Sequence, residues 1–282
     1  MHAECLQSWN DGFQGYFLPM TMTEEQYISR LHHEGLSLSH SLIAFDGGQP
    51  IGCVLSGFRQ IAGQKVAWNG GTGVAPDYRR KGVGRRLMTA MLEHYRAEGA
   101  DLALLEAIAE NEGAIALYQQ LGYRRMEELA IWKKEGMKEE NVFAAPSPSF
   151  DTEIVPPHHI AKIPFYRRLA PWQTQWQSNL HGHGLIVKDE QGETIGYALY
   201  RHARDNQGAL QRILLLQCEA RPGHPDADAI LGSALHRVFK PEESYTFGMV
   251  LNQPPCTELA AILEEAGFQP ASRQVHMQCI IK

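Results

Sequence analysis

The chain changes its periodicity near residue 74, and this change constrains the fold more than any other feature of the sequence. Upstream, short runs of β-forming residues separated by glycine turns predict a meander of antiparallel strands at 41–45, 51–58 and 65–74. Downstream, apolar residues recur every four positions from Val83 to Tyr95, which predicts a helix that begins near Gly82 and ends by Gly99. A strand meander therefore passes directly into an amphipathic helix.

The junction between the two patterns reads Val-Ala-Pro-Asp-Tyr-Arg-Arg-Lys-Gly-Val-Gly over residues 74–84. Glycines let the backbone turn tightly, so that amide N–H groups at the start of the helix point into one concavity. Such a concavity binds phosphate, because the amides donate hydrogen bonds and this end of the helix dipole is positive. Arg79, Arg80 and Lys81 add cationic donors, although a run of charge is also typical of a solvated turn. We predict a phosphate site at residues 79–84.

Two other phosphate-binding patterns do not fit these residues. The dinucleotide fingerprint needs a third glycine where this chain has Leu87, and the Walker motif needs Gly-Lys followed by serine or threonine. The preceding strands also favour an antiparallel meander over a βαβ unit.

A second group of candidate functional residues follows the helix. Residues 102–108 predict a short apolar strand, and residues 114–120 predict a helix closed by Gly122, whose missing Cβ suits a left-handed C-cap. Asn111 lies between this strand and this helix, and Tyr118 lies near the helix end. A last strand is predicted at 126–132.

The two segments together resemble the GNAT superfamily of N-acetyltransferases, over roughly residues 6–135. The signature R/Q-x-x-G-x-G/A of that family is matched by Arg79, Gly82 and Gly84. Its second hallmark, N-x-x-A-x-x-L-Y followed by G-F/Y, is matched in order by Asn111, Ala114, Leu117, Tyr118, Gly122 and Tyr123. The resemblance implies an α+β fold, in which a mixed, mostly antiparallel sheet is flanked by helices.

The resemblance also implies a site for acetyl-CoA between two splayed central strands. The coenzyme pyrophosphate would lie on the loop at 79–84, including Val83, and the pantetheine arm along Val74 and near Asn111. An amine would attack the thioester directly, with the oxyanion stabilised by a backbone N–H near Val74. Tyr118 would contact the coenzyme and act as the general acid that protonates the departing thiolate.

For several of these residues a second interpretation stays open. Tyr118 can pack its helix against the sheet, and Asn111 can cap that helix without touching a coenzyme. No general base is evident, because Glu106, on the preceding strand, and Glu110, at its end, are only the nearest carboxylates in sequence. For both residues, surface charge or favourable electrostatics at the start of a helix is the alternative explanation.

The second half of the chain repeats features of the first half. Gly-Gln-Pro-Ile-Gly at 48–52 matches Gly-Glu-Thr-Ile-Gly at 192–196, and Leu-Gly-Tyr at 121–123 matches Ala-Gly-Phe at 266–268 at nearly the same offset. We predict a catalytic GNAT domain at 1–137, a proline-containing linker at 138–152 and a degenerate GNAT-like copy at 153–282. Residues 220–232 hold no counterpart of the cationic glycine turn, so we expect one coenzyme per chain.

The composition limits the classes of partner that we expect for this protein. A net charge of −6 gives no cationic field for nucleic acid or an anionic membrane, and no apolar run approaches the roughly 20 residues that cross a bilayer. The 5 cysteines show no close pairing, which argues against a disulfide framework and favours a cytoplasmic protein. Histidine pairs at 32–33, 158–159 and 181/183 lack further ligands at recognisable spacing, so no metal site is predicted.

These observations lead to one expected function and one alternative. We expect a monomer or homodimer that transfers the acetyl group of acetyl-CoA to a primary amine of an unidentified small-molecule acceptor. The alternative is a non-catalytic protein that senses acyl-CoA or interacts with another protein. Both need the turn at 79–84, whereas only the enzyme needs Tyr118.

Overall fold

The computed structural model describes residues 2–137, 143, 150–239 and 245–281 of the 282-residue chain. These residues form two compact units. The first contains the chain up to Glu127 together with the segment from Val275 onward, and the second contains Glu128–Gln274. The boundaries of these units differ from the sequence-based boundaries at 137 and 153. The predicted linker at 138–152 lies outside the described residues, apart from residues 143 and 150–152.

The first unit is built as the change of periodicity predicts. Its elements in chain order are α1 (His2–Gly12), α2 (Glu24–Glu34), β1 (Ser37–Asp46), β2 (Gln49–Ile61), β3 (Gln64–Val74), α3 (Val83–Ala97), β4 (Leu102–Ile108), α4 (Glu112–Gln120) and the end of β11 (Gln269–Ile280). The strands lie in the order β1-β2-β3-β4-β11. β1, β2 and β3 are antiparallel, and β4 runs parallel to β3 after the crossover through α3.

Helices cover both faces of this sheet. On β2, Val54 packs in one apolar cluster with Met88 and Met91 of α3, whereas its neighbour Cys53 interacts with Cys5 of α1. Because successive residues of a strand point to opposite faces, α1 and α3 lie on opposite sides of the sheet. The first unit is therefore a three-layer helix–sheet–helix structure.

The strands β3 and β4 separate near their carboxyl ends. Their parallel register runs from Val66 opposite Leu102 to Asn69 opposite Leu105 and, within the described residues, ends there, although β3 continues to Val74 and β4 to Ile108. Gly70 is an extra residue in β3 relative to β2, which marks a β-bulge at the point of separation. The splayed pair of central strands that the family resemblance implies is therefore present.

The second unit repeats the same plan. Its elements are β5 (Arg124–Met137), β6 (Asp151–Val155), α5 (Pro157–Ile160), β7 (His183–Lys188), β8 (Thr194–Arg204), β9 (Leu210–Ala220), α6 (Ala227–Val238), β10 (Tyr245–Gln253) and α7 (Glu258–Glu265). The strand order is β5-β10-β9-β8-β7-β6, and β10 is parallel to β9 as β4 is to β3. Gly122 and Gly267 end α4 and α7 with φ of 98° and 82°. The second unit therefore repeats the plan of the first, as the predicted duplication requires.

The last strand of each copy explains why the compact units depart from the predicted boundaries. β5 follows α4 in the sequence, yet it pairs antiparallel with β10 of the second unit, from Met137 opposite Tyr245 to Ala130 opposite Gln253. β11 follows α7, yet its end lies beside β4 in the first unit. A truncation that removes residues 153–282 would therefore also remove a strand from the first unit.

Candidate active site

A cavity of about 490 Å³ lies in the first unit and brings together four separate stretches of chain. Its walls come from the loop after α1, the end of β3, the junction before α3, and α4, at residues 12–17, 72–74, 78–85 and 111–118. Both motifs identified in the sequence thus contribute to one partly open cavity beside the separated ends of β3 and β4.

The start of α3 supplies donors to this cavity. Gly82 is the N-cap residue with φ of 82°, and no side chain caps the helix. The amides of its first turn are therefore without an intrahelical or side-chain acceptor among the described residues. Arg80, Gly82 and Gly84 line the cavity, whereas the Val83 side chain is buried in the apolar core beneath the turn. The local geometry fits a phosphate group, which accepts hydrogen bonds from such amides.

The three cations of the junction lie in different environments. Lys81 is exposed, and its Nζ lies 5.5 Å from the centroid of the Tyr78 ring. Arg80 is exposed at the cavity wall with φ of 61°, in the left-handed region. Lys81 does not line the cavity, so of the predicted coenzyme cations only Arg79 and Arg80 do so.

Arg79 has a structural role that its motif does not reveal. Its Nε donates to the Val74 carbonyl at 2.9 Å, and its Nη2 donates to the carbonyls of Gly12 at 3.2 Å and Gln14 at 2.5 Å. One guanidinium therefore joins the end of β3 to the loop that follows α1. Nη1 makes no hydrogen bond within the described residues and is the part of the side chain left for a ligand.

Tyr118 lies on α4 with its side chain almost fully buried at the cavity wall. Burial raises the pKa of its hydroxyl above the ordinary value, while interactions with Thr72 and Asn69 of β3 act in the opposite direction. Asn69 in turn donates from Nδ2 to Thr72 Oγ1 at 2.9 Å. The tyrosine also belongs to the apolar core, so it packs the helix and faces the cavity at once.

Asn111 caps α4, as one of its two interpretations requires. Its Oδ1 accepts a hydrogen bond from the amide of Ala114 at 3.2 Å. The residue also lines the cavity and interacts with the hydroxyl of Tyr16, whose pKa is raised by burial and lowered in part by this hydrogen bond. The cap is established, and a contact with coenzyme stays a prediction.

The two candidate bases lie in different surroundings, and neither lines the cavity. Glu110 is exposed beyond the end of β4. The Glu106 side chain is only 6% exposed and accepts a hydrogen bond from Trp68 Nε1 at 2.7 Å. Glu106 is also the first residue of β4 beyond the last pair with β3. Its burial argues against the interpretation as surface charge.

Two residues near these groups were not anticipated from the sequence. Tyr16 follows α1, which ends at Gly12, and the left-handed Gly15 at φ of 64° turns the chain into the cavity wall. Gly12 and Gly15 were the available signal for this turn. His276, on β11, is fully buried, with Nδ1 3.2 Å from Glu127 Oε1 and Nε2 3.8 Å from Glu106 Oε1. No local pattern signals that contact.

Comparison with known proteins agrees with this geometry. Residues 3–123 match the sequence model of the Acetyltransferase (GNAT) family. The chain is 40% identical over 62 residues to a mycothiol acetyltransferase of Corynebacterium aurimucosum, which is 22% of this chain and 20% of the relative. It is 42% identical over 50 residues to a ribosomal protein bS18 alanine N-acetyltransferase of Escherichia coli, which is 18% of this chain and 34% of the relative. The alignments thus span only about a fifth to a third of these relatives.

A similarity of fold extends over the whole chain. A solved tandem GNAT protein from the clavulanic acid biosynthesis pathway aligns with 100% of this chain and 95% of its own, with a TM-score of 0.63 and 13% identity. At this identity the likeness concerns the fold alone. Among the described residues, no helix combines the length and apolar character that a membrane-spanning segment requires.

Proposed function

Through residues 3–123 this chain belongs to the GNAT family of acetyltransferases, and from that membership we propose that it transfers the acetyl group of acetyl-CoA to a primary amine. One observation carries the proposal. A single cavity joins an uncapped helix N-terminus, which suits a phosphate, to a buried tyrosine, which suits proton transfer to a thiolate.

The coenzyme is held by the first-turn amides of α3 and by Arg80, with Nη1 of Arg79 as a further donor. These groups supply several N–H donors and positive charge without a competing carboxylate cap. Val74 supports the pantetheine arm, since β3 loses its pairing with β4 before this residue. The Val74 carbonyl accepts from Arg79 Nε, so its N–H is the group that the arm would use. The acetyl thioester is what acetyl-CoA contributes to the reaction.

Tyr118 is the general acid in this proposal. Its raised pKa keeps the hydroxyl protonated throughout the physiological pH range, so a proton is available when the thiolate leaves. Burial also removes water that would compete for the same hydrogen bond. Thr72 and Asn69 of β3 interact with this hydroxyl, and Asn69 belongs to the last residue pair before the strands separate.

Glu106 is the better candidate for the general base, with Glu110 as the alternative. On β4 the side chains of Ala103, Leu105 and Ala107 belong to the core cluster under α3, so Glu106 points to the opposite face of the sheet. An acid on the α3 face and a base on the other face would flank the separated strands. Trp68 fixes the carboxylate for removal of a proton from the amine, directly or through water.

The acceptor is a small-molecule primary amine in this proposal. The Escherichia coli relative is named for acetylation of a protein alanine, so an N-terminal peptide amine is the competing acceptor class. Release of coenzyme thiol with a panel of polyamines, amino sugars, amino acids and N-terminal alanine peptides would separate the two classes.

A pair of tyrosine variants tests the chemistry. Tyr118→Phe should lower kcat by about 10²–10⁴-fold, which is the usual contribution of a general acid, while acetyl-CoA affinity stays within about twofold. Tyr95→Phe is the matched control, because Tyr95 is buried in the same core but does not line the cavity. Its hydroxyl lies 2.9 Å from Ser56 Oγ. Equal activity of the two variants would remove Tyr118 from the mechanism. Coenzyme binding without thiol release from any amine would favour the sensor alternative.

One coenzyme per chain is part of the proposal. The equivalent helix of the second unit, α6, has Asp226 as its N-cap residue and Asp228 in its first turn. Carboxylates at this position repel a phosphate. Equilibrium dialysis that gives two equivalents of coenzyme per chain would contradict this part.

A further inference from the structure

Three possible metal ligands converge in the first unit on side chains outside the active-site cavity. His40 lies on β1, His94 lies in the last turn of α3, and Glu98 is the residue that ends this helix. One ligand atom from each residue lies within 4.8 Å of the other two. The closest pair is His40 Nδ1 and His94 Nε2, which are 3.1 Å apart.

This convergence has a clear origin in the fold. His94 and Glu98 are four residues apart, so they project from the same side of α3. His40 lies in an irregular stretch of β1, between Ser37 and Leu42, where the pairing with β2 shifts register, and its contact with His94 shows that its ring faces α3. Phe58 of β2 stacks edge-on against His40 at a centroid distance of 4.7 Å and fixes the ring.

We propose that His40, His94 and Glu98 bind a divalent transition-metal ion, with Zn²⁺ as the best-suited common ion and water at the fourth position. In a tetrahedral site with Zn–N bonds of about 2.0–2.1 Å, two nitrogens lie about 3.3 Å apart. The observed 3.1 Å needs only a small adjustment. The carboxylate must approach further, and its side chain, which is 36% exposed, is free to change rotamer. Two imidazoles and one carboxylate are ligands that Zn²⁺ accepts.

The surrounding charge sets a limit on the affinity of this site. Lys65 Nζ donates a hydrogen bond to Glu98 Oε2 at 3.1 Å. The same ammonium repels a cation. The position at the carboxyl end of α3 acts in the opposite direction, since this end of the helix dipole attracts positive charge. Replacement of Lys65 by methionine should therefore tighten metal binding.

The competing explanation is a hydrogen bond between the two imidazoles, in which a neutral ring donates its N–H to the other. Such a pair would show the same 3.1 Å separation without any metal. The two explanations differ in the affinity for an added ion. None of the three residues lines the active-site cavity, so their substitution should leave acetyl transfer unchanged.

The test is titration of the full-length protein with Zn²⁺ in competition with a chromophoric chelator, and with Co²⁺ monitored by visible absorption. The wild type should bind one ion per chain with tetrahedral Co²⁺ bands. His94→Gln and His40→Gln should each weaken binding by at least ~10-fold, and Lys65→Met should strengthen it. His158→Gln is the matched control, because His158 also has a histidine neighbour but is exposed in the second unit.

The proposal is overturned by either of two results. One is the absence of binding in the wild type, which would leave the imidazole hydrogen bond as the explanation. The other is equal Zn²⁺ affinity of the wild type and the double variant His40→Gln/His94→Gln, which would place the ion elsewhere. Circular dichroism of each variant establishes that it is folded before its affinity is compared.

Discussion

Replacement of Arg79 by lysine separates two roles of this residue that the sequence motif cannot distinguish. The substitution keeps the positive charge that a phosphate would use. It removes the planar group that donates to the carbonyls of Val74, Gly12 and Gln14. A lysine ammonium is a single nitrogen on a flexible stem, so it can replace about one of these three hydrogen bonds in the same geometry.

The expected loss follows from the two hydrogen bonds that remain unmade. Hydrogen bonds to charged groups contribute about 1.5–3 kcal/mol each in well-ordered settings, and the exposure of Arg79 reduces this to about 0.5–1 kcal/mol each. The loop at 12–17 should therefore lose about 1–2 kcal/mol of local stability. Because this loop is a wall of the cavity, the loss should appear as an increase of about 5–30-fold in the Kd for acetyl-CoA.

Calorimetric titration with acetyl-CoA measures this effect, and hydrogen exchange locates it. The amides of Gln14 and Tyr16 should exchange faster in Arg79→Lys than in the wild type. Arg80→Lys is the matched control, because Arg80 has the same charge at the next position but its guanidinium makes no hydrogen bond to the described residues. Its effect on Kd should stay below about threefold.

Equal effects of the two variants would refute this reasoning. If both bind acetyl-CoA like the wild type, the three carbonyl contacts do not hold the loop in solution. If both weaken binding equally and exchange at 12–17 does not change, Arg79 acts through the shape of its contact with phosphate and not through the loop.

Three further predictions test capping, titration and packing. Asn111→Ala and Thr257→Ala each remove an N-cap, so each should lower the free energy of unfolding in denaturant by about 1 kcal/mol. Only Asn111→Ala should also weaken acetyl-CoA binding. Unchanged binding in Asn111→Ala would show that Asn111 caps the helix and does not contact the coenzyme. Burial raises the pKa of Tyr200 to about 12 from 10, so the folded state keeps a proton that the unfolded chain releases, and stability falls as the pH rises from 10 to 12. Tyr200→Phe should flatten this decline in thermal melts between pH 9 and 12, whereas parallel profiles would contradict the assignment. Gly12→Ala places a Cβ 2.9 Å from backbone atoms of β3 and should lower the free energy of unfolding by about 1–3 kcal/mol. Gly232→Ala, which has open space around it in α6, should raise the free energy of unfolding by about 0.5–1 kcal/mol. Equal unfolding midpoints of the two variants would refute the packing argument.

Patterns among residues close in sequence predicted much of the secondary structure and identified both motifs. The strand at 102–108 was predicted at the bounds where β4 is found, because an apolar run between glycine and asparagine leaves few alternatives. Thr23 is the N-cap of α2 and forms a capping box with Gln26, which is only three residues away in sequence. The helix after Gly82 and the left-handed glycine after α4 were likewise encoded by residues close to them in sequence.

Residues close in sequence did not determine which unit the last strands join. The sequence predicted a last strand at 126–132 for the first copy, whereas β5 pairs with β10 of the second unit and the end of β11 joins the first unit. Both arrangements satisfy the same alternation of residues in a strand, since a strand's pattern fixes which face it buries but not which neighbour it pairs with.

The sequence by itself determined the two-copy plan, the order of the elements and the glycine turn before α3, because periodicity, turns and caps depend on residues within a few positions of one another. Only the tertiary structure decided what the functional side chains touch. Arg79 reaches carbonyls 65 and 67 positions earlier, Trp68 fixes Glu106 from 38 positions away, and His40 meets His94 across 54 positions. Such contacts depend on strand pairing and helix packing, which are properties of the whole unit. Chemistry that depends on them is therefore visible only after the chain is folded.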